Sequence, residues 1–416
     1  MSEPATGGAV VAGLITYQDA ATVGSVAWAV RAGLAAHFAG LPTRMLIVDA
    51  GSTDRTVALA REALGAEADV VEVATPRSAA DLLEVPYHGV PGKARALHAL
   101  LSTARDLTAR ACVVFDGGVR TVTPAWVASL AQPVVDGRVD YVAPFFARHP
   151  YEGALTKGVV YPLIRALYGV RLRQPAAAEF ACSTALAGHW LRHDLWARHG
   201  ARAGIDIWLA AAAAAGDFRV AEASLGVRAH HARGEEGLDL ASTIAQVIGA
   251  LFADVEKNAR FWQRSQSRAT ERLGSPVVAV PTDPPAIDPD RLVEAFRLGY
   301  QELRDIWTWV LPPRTIVDLK KLLELSAREF RLDDELWARV IYDFAIGYRM
   351  RPVARDHLLR SLVPLYSGWL ASYVGQVHDL GPEAADLRVE ALAQAFENQK
   401  AYLIARWRWP ERLRVG

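Results

Sequence analysis

A short apolar run that ends in a carboxylate and two glycines limits what this chain can fold into. Residues 112–115 are apolar, and Asp116-Gly117-Gly118 follows them directly. An uninterrupted apolar run of this length, closed by glycines, predicts a strand that is buried on both faces, as in a parallel sheet. Ligands of open α/β sheets bind just beyond the carboxyl ends of such strands, so the position of Asp116 suits chemistry. The alternative is that Asp116 only caps the turn, because Asp and Gly are common turn residues.

Similar apolar runs recur along the first half of the chain and alternate with helical patterns. Further strands are predicted at residues 9–16, 45–49, 70–73, 141–146, 180–182 and 218–227. Strands that alternate with helices in this way predict an α/β fold with a doubly wound, mostly parallel sheet. The first strand is not followed by Gly-x-Gly-x-x-Gly, and the sequence has no Walker-type loop, so neither common nucleotide fingerprint applies.

From residue 238 onward the patterns are helical only, apart from a proline-rich linker over residues 274–290. Helices are predicted at residues 238–265, 289–310, 313–331, 334–349, 356–377 and 382–406. Their apolar positions recur at spacings of three and four, which is typical of the core of a helical bundle. We therefore predict two domains, an α/β domain over residues 1–235 and an all-helical C-terminal domain over residues 236–416.

Composition and charge limit the kinds of molecule that this protein is expected to bind and the environment in which it is expected to fold. Lys plus Arg equals Asp plus Glu, at 46 each, so the overall charge does not indicate nucleic acid binding. The two cysteines lie in apolar segments, as expected for reduced core residues; the alternative is one disulfide between them. The N-terminus shows no secretory signal, and the apolar run 207–215 is about half of the roughly 20 residues that a transmembrane helix needs. We expect a cytoplasmic protein without a transmembrane segment, whose helical half could support a homodimer.

The motifs together resemble those of nucleotide-sugar glycosyltransferases with the GT-A fold, of the mannosylglycerate synthase and glucosyl-phosphoglycerate synthase type. The resemblance covers nearly the whole chain and depends on the order and spacing of the motifs. These are Pro91-Gly92-Lys93, Asp116, Tyr161-Pro162-Leu163, Arg173-Gln174-Pro175, Gly204-Ile205-Asp206 and Gly226-Val227-Arg228-Ala229-His230, with the helical segments 341–345 and 364–366. It implies transfer of a hexose from a nucleotide-diphosphate sugar to a small polar acceptor, such as a glycerate derivative, with retention of configuration.

The resemblance also implies a divalent metal, Mg²⁺ or Mn²⁺, because the charge of the diphosphate has to be neutralised while it leaves. Asp116 would bind the ribose and the metal, and His230 would complete the metal site. The alternative for His230 is a histidine that closes a strand at the surface. The donor-binding residues implied in this way are Thr16, Asp49, Lys93, Asp116 and Arg228.

Two of these residues and two further residues have more specific implied roles. Asp49 would bond the base, and Lys93, at a helix start, would bind phosphate or ribose; the alternative for Lys93 is a solvated surface lysine. Asp206 would position the acceptor hydroxyl or accept its proton, unless it is simply the N-cap of a helix. Glu179 would hydrogen-bond sugar hydroxyls, the alternative being a surface glutamate.

The chain departs from the family pattern at three places. Gly118 stands where an Asp-x-Asp motif has its second carboxylate, and Ala50 replaces the Asp of the turn after the second strand. Ala177 and Ala178 replace paired glycines. An ion would then depend on His230, diphosphate oxygens and water, or basic side chains would carry the charge of the leaving group. The alternative functions are a catalytically impaired glycosyltransferase that acts as a binding or assembly module, and a transferase acting on a lipid-linked or polymeric acceptor.

Overall fold

The computed structural model of this 416-residue chain describes residues 8–65, the backbone of 70–74, and residues 86–193, 196, 204–230, 239–275 and 287–409. The chain forms two compact units. The sheet unit comprises residues 1–147, 174–238 and 270–280, and the helical unit comprises residues 148–173, 239–269 and 281–416. No described helix is both long and apolar enough to cross a membrane.

The sheet unit is built on one sheet, in which eight strands are described. They are β1 Val10–Thr16, β2 Thr43–Asp49, β3 Val70–Ala74, β4 Ala111–Asp116, β5 Tyr141–Ala147, β6 Phe180–Ser183, β7 Val220–Val227 and β8 Glu271–Leu273. Their order is β3-β2-β1-β4-β6-β5-β7-β8. β6 runs antiparallel to β4 and β5, and the other described pairs are parallel. The predicted α/β fold with a mostly parallel sheet is therefore confirmed.

The α-helices follow in chain order. They are α1 Val23–His37, α2 Thr56–Leu64, α3 Lys93–Asp106, α4 Pro124–Val135, α5 Tyr161–Tyr168, α6 Thr184–Leu191, α7 Ile205–Ala215, α8 Leu240–Lys257, α9 Ala259–Trp262, α10 Pro289–Thr308, α11 Pro313–Lys321, α12 Asp334–Met350, α13 Arg355–Ser361, α14 Val363–Val377, α15 Pro382–Asn398 and α16 Lys400–Arg408.

Strand β1 shows why an uninterrupted apolar run suits this sheet. Val10, Ala12 and Leu14 lie in one core with side chains of α1 and α4. On the other face, Gly13 leaves room for the side chain of Leu100 of α3. A Cβ on residue 13 would lie only 2.1 Å from Leu100 Cδ1. Both faces of the strand are thus covered by helices, as expected for a doubly wound sheet.

The sequence predicts one domain boundary near residue 235, whereas each observed unit is made of three separate segments of the chain. Residues 271–273 pair in parallel with residues 221–223 of β7, so the chain returns to the sheet after α9. Residues 148–173 belong to the helical unit, where α5 contacts α15. Arg165 and Arg173, both buried, form ion pairs with Glu390 of α15 at 2.7 Å each. Buried cations need such partners, and these four carboxylate contacts with α15 tie the segment 148–173 to the helical unit.

Some predicted helices are divided in the structure. The stretch predicted at 356–377 forms α13 and α14, because Pro364 has no N–H to continue the preceding helix. The stretch predicted at 238–265 forms α8 and the short α9, with a break at Asn258. The stretch predicted at 313–331 is α-helical only as far as Lys321, and the stretch predicted at 382–406 forms α15 and α16. No strand is described in the helical unit, as predicted for an all-helical domain.

The contact between α1 and α4 can be tested at Gly33. A Cβ at this position would lie 2.6 Å from both the Pro124 carbonyl oxygen and Val127 Cγ2. We expect Gly33→Ala to lower the free energy of unfolding by about 1–2 kcal/mol, since overpacking against backbone outweighs the higher helix propensity of Ala. Urea unfolding measures the change. Gly40→Ala is the control, because nothing lies within 4 Å of its Cβ; equal stability of the two variants would contradict the packing.

Candidate functional site

Charged side chains meet at the edge of the sheet where the parallel strands end. Asp116 is the last residue of β4, and His230 lies beyond the end of β7. β6 runs the other way, so Glu179, just before its first residue, comes to the same edge. Lys93 and Asp206 lie in the first turns of α3 and α7. The topology thus brings together residues that are far apart in sequence.

The carboxylate of Asp116 is held in a defined orientation. It is 5% exposed, and its Oδ1 accepts a hydrogen bond from the Gly118 N–H at 2.9 Å. Its Oδ2 lies 3.3 Å from His230 Nε2 and 3.8 Å from Arg228 Nη2. Oδ1 therefore bonds the backbone of the turn, and Oδ2 faces an imidazole and a guanidinium group.

Backbone pairing between two loops positions His230. Val119 and His230 form an antiparallel β-bridge. The Arg120 N–H donates to the Ala229 carbonyl at 2.8 Å, and the Ala229 N–H donates to Thr121 Oγ1 at 3.1 Å. The imidazole is consequently fixed beside Asp116, although the two residues are 114 positions apart.

Glu179, which is buried, and Arg228, which is partly exposed, form a side-on ion pair. Glu179 is 0% exposed, so it is not a surface glutamate. Arg228 Nε lies 3.1 Å from Glu179 Oε2, and Arg228 Nη2 lies 3.0 Å from Oε1. The guanidinium group therefore links Glu179 to Asp116.

Lys93 and Asp206 form a second buried pair. Lys93 Nζ donates to Asp206 Oδ2 at 2.6 Å, and both side chains are at most 3% exposed. Lys93 is thus not a solvated surface lysine, and Gly204, not Asp206, occupies the N-cap position of α7. Asp206 Oδ1 is buried and has no hydrogen-bond partner among the described residues.

The pKa of Asp206 depends on its burial, on its partner Lys93 and also on the charges of Glu179 and Asp116. Burial raises the pKa of the Asp206 carboxyl group, the neighbouring Lys93 opposes this, and the charges of Glu179 and Asp116 raise it further. These carboxylates are therefore close enough to influence one another, which is the behaviour of a single site.

Asp49 is engaged in its own turn. Its Oδ1 accepts hydrogen bonds from Thr16 Oγ1 at 2.9 Å and from Ser52 Oγ at 2.6 Å. Its Oδ2 accepts from the N–H groups of Gly51 and Ser52 at 2.9 and 2.7 Å. These contacts bring Thr16 and Asp49 together, while their predicted role in donor binding stays a prediction.

Two residues of this region were not identified from the sequence. Burial raises the pKa of Tyr87 well above its usual value, and the charge of Asp206 adds to this. Thr22 donates a hydrogen bond to the Gly117 carbonyl at 2.7 Å. Tyr87 lies in a loop without a pattern, and Thr22 precedes a helix, where it resembles an ordinary cap.

The turn that contains Gly118 is tightly packed at the preceding residue. A Cβ at Gly117 would lie 2.8 Å from Asp19 Oδ2 and 3.3 Å from the Ile15 carbonyl oxygen. The alanines that depart from the family pattern are buried or packed as well. Ala50 is 1% exposed and Ala178 is 8% exposed. Ala177 packs against the core of the sheet unit.

The site contains a pair of groups suited to a divalent ion. Two ligands that each lie about 2.1 Å from one ion at roughly a right angle are about 3 Å apart. The 3.3 Å between Asp116 Oδ2 and His230 Nε2 is close to this value. Within the described residues no group of three or more His, Cys, Asp or Glu side chains is arranged to hold a metal. The protein would thus supply two ligands, and other molecules would supply the rest.

Comparison with known proteins gives structural neighbours of the type that the motifs resemble. Neither the protein-family models nor the curated proteins include a match. Glucosyl-3-phosphoglycerate synthase from Mycobacterium tuberculosis, solved with Mn²⁺, UDP-glucose and phosphoglyceric acid, is similar at 26% identity and a TM-score of 0.41, over 60% of this chain and 80% of that chain. The same enzyme with Mg²⁺ and UDP gives 25% identity and a TM-score of 0.43, over 60% of this chain and 79% of that chain.

A further similar structure is mannosyl-3-phosphoglycerate synthase from Rubrobacter xylanophilus, at 22% identity and a TM-score of 0.41. It is matched over 62% of this chain and 77% of that chain. Because these TM-scores are below 0.5, a functional assignment has to come from the residues of the site.

The buried pair Lys93–Asp206 makes a prediction about stability. Lys93→Met leaves the Asp206 carboxylate buried without its cation, so we expect a loss of about 3–5 kcal/mol in the free energy of unfolding. The double variant Lys93→Met/Asp206→Leu removes the orphaned charge and should recover much of this loss. Denaturant unfolding at neutral pH measures both.

The control for this prediction is Arg105→Met, which removes an exposed partner of Asp106. We expect it to change the stability by less than about 1 kcal/mol. If Lys93→Met changed the free energy of unfolding as little as Arg105→Met does, the result would contradict the view that Asp206 is both buried and charged.

Proposed function

We propose that this chain is a glycosyltransferase that moves a hexose from a nucleotide-diphosphate sugar to a small polar acceptor, such as a glycerate derivative, with retention of configuration. The observation that supports the proposal is the meeting of the buried Lys93–Asp206 pair, the partly buried Arg228–Glu179 pair and the Asp116–His230 pair at one edge of the sheet. The motif resemblance supports hexosyl transfer as the reaction and a glycerate derivative as the acceptor.

The charges of the site favour a divalent ion. Asp116, Glu179 and Asp206 contribute three negative charges, against two positive charges from Lys93 and Arg228, which leaves one net negative charge with His230 neutral. A diphosphate brings about two more negative charges. Such a site would repel the donor unless a cation entered with it.

Asp116 and His230 would hold this ion, Mg²⁺ or Mn²⁺. Diphosphate oxygens and water would fill its other positions, as is usual for Mg²⁺ in proteins. When bound, the ion supplies Lewis-acid stabilisation of the charge that develops on the leaving diphosphate. Gly118, which has no side chain, contributes only its N–H to this turn.

The other residues of the site have roles that follow from their contacts. Glu179 fixes the plane of the Arg228 guanidinium group. A guanidinium group held in this way would place its positive charge beside the phosphate oxygens of the donor. Lys93 adds a positive charge and holds Asp206 by one oxygen. The other oxygen, Asp206 Oδ1, would accept a hydrogen bond from a hydroxyl group of the sugar or acceptor.

The second candidate is a protein that binds nucleotide sugars without transferring them. The observations that favour it are the missing side chain at Gly118 and the four hydrogen bonds that already engage Asp49. The two candidates differ in turnover but not in binding.

Calorimetry with UDP- and GDP-sugars tests the proposal. We expect binding that requires Mn²⁺ or Mg²⁺ and is lost when the ion is removed with a chelator, because the site alone carries a net negative charge. Slow hydrolysis of the bound sugar nucleotide, or transfer to a glycerate derivative, would distinguish a transferase from a binding protein. A lack of binding at millimolar concentrations of both sugar nucleotides would contradict both candidates.

Restoring the missing carboxylate gives a further prediction. Gly118→Asp adds a carboxylate as a third protein ligand beside Asp116 and His230, so we expect its affinity for Mn²⁺ to rise roughly tenfold. Gly118→Asn has nearly the same shape without the charge and serves as the control. If neither the parent nor Gly118→Asp binds Mn²⁺, then His230 is not a metal ligand.

A further inference from the structure

We propose that Thr22 is a positioning residue for Asp116, acting through the peptide group between Gly117 and Gly118. This inference rests on the proposed function, in which Asp116 is one of the two protein ligands of a divalent ion. Thr22 itself would touch neither the ion nor the substrates.

The contacts place the Thr22 hydroxyl and the Asp116 carboxylate on opposite sides of one peptide group. Thr22 is 4% exposed, and its hydroxyl lies 2.7 Å from the Gly117 carbonyl oxygen and 3.3 Å from the Asp19 carbonyl oxygen. The shorter of these two hydrogen bonds is the one to Gly117. The N–H of the same peptide group, on Gly118, donates to Asp116 Oδ1 at 2.9 Å. Because a peptide group is planar, a hydroxyl that fixes its carbonyl also fixes the direction of its N–H. The chain of two hydrogen bonds therefore sets the orientation of the carboxylate.

The position of Thr22 in the sequence makes this use of its hydroxyl unusual. Thr22 occupies the N-cap position of α1, where a threonine oxygen commonly accepts a hydrogen bond from an N–H of the first helical turn. Such a bond contributes about 1 kcal/mol to helix stability. In the described structure the Thr22 side chain makes no capping bond of this kind. The helix forgoes this stabilisation, and the hydroxyl instead holds a turn that is 95 residues away in sequence.

The same loop supports the turn from a second side. Asp19 is 0% exposed, and its Oδ2 would lie 2.8 Å from a Cβ on Gly117. The turn therefore packs against the loop before α1 without room for a side chain. With Oδ1 of Asp116 committed to this turn, its Oδ2 is left facing His230 Nε2 at 3.3 Å. Loss of the Thr22 hydroxyl would free the peptide group to rotate and would loosen the Asp116–His230 pair.

Thr22→Val and Thr22→Ser test the inference, since valine keeps the shape without the hydroxyl and serine restores the hydroxyl. The readouts are Mn²⁺ affinity, measured by EPR in the presence of UDP, and the midpoint of urea unfolding. We expect Thr22→Val to weaken Mn²⁺ binding about tenfold or more, as is typical when a group that orients a metal ligand is removed. Thr22→Ser should retain most of the affinity.

Thr184→Val is the matched control. The Thr184 hydroxyl donates to the Ala109 carbonyl, which precedes the amino end of β4, so it makes the same kind of bond at the opposite end of the same strand. We expect this variant to lose stability but to bind Mn²⁺ as the parent does.

Three outcomes would overturn the inference. Unchanged Mn²⁺ affinity in a folded Thr22→Val variant would show that the hydroxyl does not position the ligand, while the proposed function would stand. Equal losses of affinity in Thr22→Val and Thr184→Val, in proportion to their losses of stability, would reduce Thr22 to a structural residue. Failure of the parent protein to bind Mn²⁺ would overturn both the positioning role and the metal site of the proposed function.

Discussion

The burial of several opposite charges at one edge of the sheet is the constraint on which the site depends. Lys93, Asp206 and Glu179 are nearly or fully buried, and Arg228, the partner of Glu179, is 17% exposed. Asp116 Oδ2 lies 3.8 Å from Arg228 Nη2, and the charge of Asp116 adds to burial in raising the pKa of Asp206. Removing such charges from water costs several kcal/mol for each ion, and pairing them often does no more than offset this cost. Well-packed apolar side chains would stabilise the fold at least as well. The arrangement is therefore better explained by the binding of a charged ligand than by stability.

The fold determines which residues take part. Parallel strands β1, β4 and β7 end at the same edge, and this brings Thr16, Asp116 and the segment 228–230 together. The reversed direction of β6 adds Glu179, which a fully parallel sheet would place at the far edge. The Val119–His230 bridge then joins the two loops that carry the proposed metal ligands. Each part of the site thus depends on a backbone feature outside the site.

Some of this was predictable from sequence, because buried strands leave a clear pattern. The apolar runs predicted the strands through β7, and the glycine turn after residue 115 indicated Asp116. β8 was missed, since its residues Glu271–Leu273 show no apolar run and are recognised only by their pairing with β7. The single boundary predicted near residue 235 differs from the observed units for the same reason: contacts between distant segments do not appear in local composition.

The sequence did not reveal which charged side chains of the site pair with one another. The family resemblance led to His230, Lys93 and Asp206, yet the sequence did not show that Lys93 bonds Asp206 or that Arg228 bonds Glu179. Periodicity reports burial and not the partner of a buried charge. Thr22 was hidden for another reason, because a threonine before a helix has an ordinary explanation as a cap.

A divalent ion held by Asp116 and His230 beside a diphosphate would be in contact with an imidazole nitrogen and with phosphate, and pulsed EPR of bound Mn²⁺ detects both. With UDP present, we expect hyperfine coupling of the ion to an imidazole nitrogen and to phosphorus, with the nitrogen coupling lost in His230→Gln. Phosphorus coupling without any nitrogen coupling, or a spectrum of Mn²⁺ surrounded by water alone, would contradict the proposed metal site.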